Sequence, residues 1–293
     1  MAHGAPEKAE MPLDKRKIVL VAGASSGLGL ATAAKLAQAG HRVYAGARSF
    51  AGREGEAPEG FHRLALDVTD PVSASAAVAA AESAGGIDAL VLCAARILYG
   101  SCEEIAPEEL RDVLETNLLG MARMAQAALP GMRARGGGLI VPFSSINGLL
   151  ATPYTGAYVA SKHAVEGWAE ALRMECAPFG IRVCVVRPGD HRDGSVAYRR
   201  RAAGCLPASP YAAVRERGIA AIARDEAGGR DPARLARAVA RVVAAKRPPG
   251  TLTVARADQR LACWLHDLLP ARSFAWALRL YYGGGRPPSH HDP

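Results

Sequence analysis

Ile18-Val19-Leu20-Val21-Ala22-Gly23-Ala24-Ser25-Ser26-Gly27-Leu28-Gly29 is the stretch on which the fold turns. Its first five residues are apolar without interruption, as in strands buried on both faces. They run straight into three glycines, and then into an Ala-rich stretch, 26–39, with helical spacing. Glycines at such a turn let the backbone double back tightly and approach a ligand closely. The helix behind them offers free N–H groups and the positive end of its dipole, which suit a pyrophosphate. A glycine triplet alone says little; one flanked by a strand and a helix is the arrangement that binds dinucleotides. Gly23, Ser25, Ser26, Gly27, Leu28 and Gly29 are therefore candidate cofactor contacts.

The same alternation continues outward. Short apolar runs recur at 43–47, 61–66, 89–93, 139–143, 183–186 and 251–255, bounded by Gly, Asp or Pro. Between them lie stretches of helical spacing at 71–84, 108–133, 156–177 and 231–245. Strands alternating with helices predict an α/β fold, a doubly wound parallel sheet of about seven strands with helices on both faces. Residues 1–14 read as a disordered arm, 15–255 as the α/β domain, and 190–228 as an irregular, charged loop with room for one helix. Residues 256–293 form a helical extension that ends in a disordered tail.

Composition narrows the function classes. Apolar residues make up 49% of the 293 and charged residues 22%, which excludes a disordered chain. The net charge of +8 raises nucleic acid as a partner, but Arg199, Arg200 and Arg201 are the only dense basic cluster and no nucleic-acid motif accompanies them. No nucleic-acid partner is expected. Six cysteines without a C-x-x-C pair give neither a metal site nor a disulfide framework. The N-terminus lacks an apolar stretch of signal-peptide length, so a cytoplasmic setting is expected. No apolar run is long enough to predict a spanning helix.

The second strand carries a cofactor test. A unit that binds NAD ends this strand with an acid for the ribose 2′-OH. Here it reads Val43-Tyr44-Ala45-Gly46-Ala47-Arg48. The Arg48 guanidinium suits a 2′-phosphate instead, with Ser25 able to add a hydrogen bond, which predicts NADP(H) in preference to NAD(H). Further on, Tyr158-Val159-Ala160-Ser161-Lys162 puts a phenol and an ammonium on one helix face. A phenol titrating near pH 10 needs its anion stabilised to work at neutral pH, and a neighbouring cation lowers its pKa. Ser145 closes the preceding strand, and Asn117 stands inside a helical stretch where Asn is locally unfavourable, which suggests a task such as holding a water against the backbone.

Taken together, Gly23-x-x-x-Gly27-x-Gly29, Asp67-Val68, Asn117, Ser145, Tyr158-x-x-x-Lys162 and Pro188-Gly189 resemble the short-chain dehydrogenase/reductase family over about residues 16–255. The long C-terminus and the segment 43–48 are similar to its hydroxysteroid and retinol dehydrogenase branch. The resemblance implies a Rossmann-fold catalytic domain over 15–255, with 190–228 as its substrate loop, and hydride transfer between nicotinamide and a carbonyl or secondary alcohol of a steroid, retinoid or other lipid-like substrate. It implies Tyr158 as acid or base, Ser145 on the substrate oxygen, Lys162 on both the phenol and the nicotinamide ribose, and Asn117 in a water-linked proton relay. Asp67, Val68, Cys93, Ala94, Tyr158, Lys162, Pro188 and Gly189 join the cofactor contacts on the same ground, and a homodimer or homotetramer is expected.

Two stretches depart from the family. Its Asn-Asn-Ala-Gly is here Cys93-Ala94-Ala95-Arg96, and Asp190-His191-Arg192-Asp193 stands where a threonine often follows Pro-Gly. They leave open a second reading, a catalytically weak regulatory protein that binds NADP(H). In the tail, Leu261, Trp264, Leu265, Leu268 and Leu269 recur at helical spacing, Pro270 breaks the pattern, and Phe274 to Tyr282 resume it. Packing of 256–282 over the cleft or against a partner subunit is the favoured reading. Peripheral membrane contact is the alternative.

Overall fold

The computed structural model describes residues 16–194 and 199–283. The expected arm, the end of the tail and residues 195–198 of the substrate loop lie outside them. The decisive stretch forms β1 (Ile18–Ala22), the glycine turn and α1 (Gly27–Gln38). Then come β2 (Arg42–Ala47), β3 (Gly55–Glu56), β4 (His62–Ala65), α2 (Pro71–Glu82), β5 (Ala89–Leu92) and β6 (Leu98–Tyr99). Next are α3 (Pro107–Leu114), α4 (Gly120–Ala134), β7 (Gly138–Pro142), α5 (Gly156–Cys176), β8 (Ile181–Val183) and β9 (Val185–Pro188). The chain closes with β10 (Arg200–Arg201), α6 (Ala212–Ala227), α7 (Pro232–Ala244), β11 (Thr251–Val254), α8 (Ala257–Leu268) and α9 (Ala271–Tyr281).

Seven strands form the central sheet in the order β3-β4-β2-β1-β5-β7-β8, parallel except for the short β3. The expected strand 183–186 is broken at Cys184, whose N–H still reaches the Ile140 carbonyl. Its two halves serve different neighbours, β8 pairing with β7 and β9 with β11. Strand period puts successive β1 residues into opposite layers. Leu20 and Ala22 pack with α2, α4 and α5, whereas Val19 and Val21 pack with α1 and α7. Both layers are dry, which is why β1 carries no polar residue. The chain order reverses across β1, with β2 on one side and β5 on the other, so a crevice opens at the carboxyl ends of these strands.

Two helix starts follow from sequence directly. Asp70 accepts from the Val72 and Ser73 N–H groups ahead of Pro71, and Asp231 accepts from Ala233 ahead of Pro232. The expected helix 108–133 is interrupted by a π turn at Glu115–Leu119, which places Asn117 in the widened turn. The expected substrate loop holds more structure than its charge suggested. Arg200 and Arg201 pair with Leu98 and Tyr99, and α6 is anchored by a buried ion pair between Arg215 and Glu104. Burial alone would raise the Glu104 carboxyl, but hydrogen bonds from Ser209, Ser101 and Arg215 bring it to about 2. Among the described residues no helix is long and apolar enough to cross a membrane.

Candidate active site

A cleft of about 940 Å³ runs along the carboxyl ends of β1, β2, β5, β7 and β9. At its floor Gly23 adopts φ +88°, and a Cβ there would lie 2.4 Å from the Ala94 nitrogen. One on Gly29 would lie 2.0 Å from the Gly23 carbonyl oxygen. The turn therefore needs its glycines to fold at all. Ser26 caps α1 with extended backbone and no side-chain hydrogen bond, so the helix start faces the cleft with Ser25, Gly27 and Leu28 around it. This is a cradle of the kind that accepts a dinucleotide phosphate.

Arg48 follows the last residue of β2, exposed at the cleft rim. Asp67 and Val68 lie beyond β4. Burial works against the Asp67 charge, but the Thr69 N–H and hydroxyl, with the Arg48 and Arg96 guanidinium charges, hold its carboxyl below the usual range. Cys93 and Ala94 continue β5, the Cys93 N–H donating to the Ala22 carbonyl. Pro188 and Gly189 end β9 on the opposite wall. All the residues expected around the cofactor line this one cleft.

Asn117 is fully buried, and its amide is committed to protein groups. Its Oδ1 accepts from the Arg96 N–H at 2.6 Å, and its Nδ2 donates to the Arg96 carbonyl and to Ser161 Oγ, both at 2.9 Å. The side chain thus stitches the segment after β5 to α5. Ser145 Oγ accepts from the Asn147 N–H at 3.1 Å and contacts the Tyr158 phenol. Burial pushes that phenol up to about 12, and the Ser145 hydrogen bond only partly opposes it.

Lys162 differs from the sequence expectation. Its ammonium donates to the Phe143 carbonyl at 2.6 Å and sits 5.4 Å from the centre of the Tyr158 ring. Burial lowers Lys162 to about 8, against the raising influence of Cys93 and Glu166. Burial of the Tyr158 hydroxyl is the largest influence on it, and its pKa stands above the ordinary phenol value and not below it.

Asp225, Glu226 and Gln259 of the remaining wall were not singled out in the sequence. Asp190, Asp225, Glu226, Arg199 and Gln259 meet the tail residues Leu278, Tyr281 and Tyr282 there. Arg199 pairs with Glu226 at 2.6 Å, Gln259 donates to Asp190, and the Tyr281 hydroxyl donates to Asp225 at 2.6 Å. Burial, with the Glu226 and Asp225 charges, pushes Asp190 up to about 6. For Asp225 and Glu226 the available signal was their adjacency in an otherwise irregular, charged segment. Asp193 does not face outward: its Oδ2 would be 3.2 Å from a Cβ on Gly27.

Comparison with known proteins agrees with this geometry. The family model for short chain dehydrogenase matches residues 17–201. The chain is 36% identical over 267 residues to a 3-ketodihydrosphingosine reductase from Bacteroides thetaiotaomicron, covering 91% of this chain and 98% of that one. It is 37% identical over 186 residues to human 17-beta-hydroxysteroid dehydrogenase type 1, covering 59% of this chain and 56% of that one. Its fold superposes on a short-chain dehydrogenase from Streptomyces avermitilis with a TM-score of 0.77 at 32% identity, over 94% of this chain and all of the other. An alcohol dehydrogenase from Thermococcus sibiricus, solved with 5-hydroxy-NADP, gives 0.64 at 25% identity, over 83% of this chain and 97% of the other. The chain belongs to the short-chain dehydrogenase/reductase family, oxidoreductases that act on CH–OH groups with a nicotinamide dinucleotide.

Proposed function

We propose that the chain is an NADP(H)-dependent oxidoreductase that interconverts a carbonyl and a secondary alcohol on a lipophilic substrate, a steroid, retinoid or other lipid-like ketone. The carrying observation is that Ser145, Tyr158 and Lys162 line one cleft whose far wall includes Ile222, Leu278 and Tyr282. The named activities of the sphingosine-base and steroid relatives support that substrate class. Bound NADP(H) supplies or takes the hydride. Ser145 Oγ hydrogen-bonds the substrate oxygen. Tyr158, protonated at neutral pH, gives its proton to the oxygen as the alkoxide develops, and takes it back in the reverse direction. The Lys162 ammonium steadies the phenolate left behind. Asn117 keeps α5 and the segment after β5 in register, and Arg48 at the cleft rim would hold the 2′-phosphate. Consumption of NADPH across a panel of ketones and aldehydes tests the whole reading.

Lys162 gives the reaction a pH signature. A group near 8 is charged below that pH and loses its charge above it. Carbonyl reduction is therefore level in kcat/KM on the acid side and falls above about pH 8. Lys162→Arg keeps its charge throughout, and the fall moves to higher pH. A profile identical in both proteins would remove Lys162 from the proton step.

The second reading, a weakly catalytic regulator that binds NADP(H), draws on Asp193. Its carboxylate against Gly27 is a like charge where a pyrophosphate would approach. Cofactor binding without turnover on any member of the panel would favour it.

The reading places the chain in the cytoplasm, as a homodimer or homotetramer whose mass light scattering reads. We further propose peripheral contact with anionic membrane. Phe274 is buried, but Trp264 and Trp276 are 59% and 58% exposed, with Leu261, Leu268 and Leu280 exposed beside them. Arg260, Arg272 and Arg279 are interspersed on the same helices, the composition of an interfacial surface. The protein should co-sediment with phosphatidylserine vesicles, and a variant with Trp264→Glu and Trp276→Glu should stay in the supernatant. Equal partitioning of the two would remove the membrane role.

A further inference from the structure

A second cavity of about 330 Å³ lies beneath α9, between that helix and the loop leading into α5. Ala151, Pro153, Tyr154, Val159, Ala275 and Leu278 line it, and the only charged residue on its described rim is Arg279, which is exposed. It abuts the main cleft, because Thr152, Leu278 and Tyr282 line both. The register on α5 makes the same point: Tyr158 faces the cleft, and its neighbour Val159 faces the cavity.

The wall between α5 and α9 is held in an unfavourable shape. Tyr154 is the one described non-glycine residue with positive φ, at 64°, a conformation that costs an ordinary residue free energy. Its ring packs so closely on α6 that a Cβ at Gly218 would lie 2.4 Å from Tyr154 Cδ2. The loop thus packs on α6 with one side and lines the space under α9 with the other. Strain that maintains an apolar space next to a reaction centre points to an occupant.

We propose that this cavity receives the unbranched hydrocarbon chain of the substrate whose oxygen is held at Ser145 and Tyr158. The inference rests on the proposed function and narrows it from lipophilic compounds in general to those with a linear alkyl chain. The space is open to solvent beside the exposed Ala151 and Ala275, and at about 30 Å³ for each water-sized group 330 Å³ is room for at most roughly ten methylenes. Such a chain needs no polar partner, and the cavity wall offers few. Thr152, Leu278 and Tyr282 stand between the reacting carbon and the chain site and line both spaces.

The test uses Ala275→Trp, which fills the cavity from an exposed helix position, and Ala277→Trp, which adds the same bulk to α9 outside both spaces. Affinity for hexanol, octanol, decanol and dodecanol is measured by calorimetry without cofactor, and kcat/KM is measured for straight-chain ketones of rising length. Cofactor affinity of each variant reports that it has folded. In the wild-type protein each added methylene should tighten binding by about three- to fourfold until the cavity is full. Ala275→Trp should flatten that series, and Ala277→Trp should follow the wild type. An unchanged slope in Ala275→Trp, or equal flattening in both, would overturn the proposal. Length-dependent binding that only Ala275→Trp abolishes, in a protein that reduces no ketone, would keep the chain site and overturn the proposed reaction. Ketone reduction without length dependence would overturn the chain site alone.

Discussion

Tyr158→Phe lowers turnover by a factor of about 10²–10⁴, the range for loss of a positioned general acid, and leaves NADPH affinity nearly intact. The substitution removes one oxygen and keeps the ring, so the volume at the start of α5 is unchanged. Its neighbours also keep their own partners. Ser145 still accepts from the Asn147 N–H, and Lys162 still donates to the Phe143 carbonyl. What disappears is the one proton donor whose pKa, about 12, keeps it loaded at every working pH. Steady-state reduction of an accepted ketone, with fluorescence titration of NADPH on the same samples, separates the two effects. A variant retaining most of the wild-type rate would mean that the proton comes from elsewhere.

Arg48→Asp weakens NADPH by about 1.5–3 kcal/mol, roughly ten- to a hundredfold, because a charge-assisted contact to the 2′-phosphate is lost. The new carboxylate ends β2 as an NAD-binding unit does, so NADH binding improves. Arg48 is exposed and makes no packing contribution to the sheet, so folding is expected to survive the exchange. Titration of wild type and variant with both cofactors gives the four affinities required. Equal NADPH affinities in the two proteins would remove Arg48 from the site and leave the proposed preference without support.

The sequence by itself determined what is local. β1, the glycine turn and α1 were legible because an unbroken apolar run, three glycines and a helical period lie within some twenty residues. The steric need for Gly23 and Gly29 is the structural counterpart of that pattern. Tyr158 and Lys162 were legible for the same reason, since helix geometry alone puts them on one face. So was the break at Pro270, which separates α8 from α9.

Only the tertiary structure decided the rest, because burial and charge environment depend on segments far apart in the chain. The helical stretch around Asn117 showed an ill-placed side chain, but not the π turn or the partners Arg96 and Ser161 that satisfy it. Spacing put Lys162 beside Tyr158 and suggested a lowered phenol pKa; enclosure by the surrounding walls raised it instead. The carboxylates Asp190, Asp225 and Glu226 converge only because α6 returns over the end of β9. The apolar period of the tail predicted helices and favoured packing over the cleft or a partner subunit, but did not say which of its residues would be covered. Packing buried Phe274, left Trp264 and Trp276 in water, and opened the cavity under α9. An apolar stripe fixes which face of a helix seeks a partner, and the partner itself is chosen by the rest of the fold.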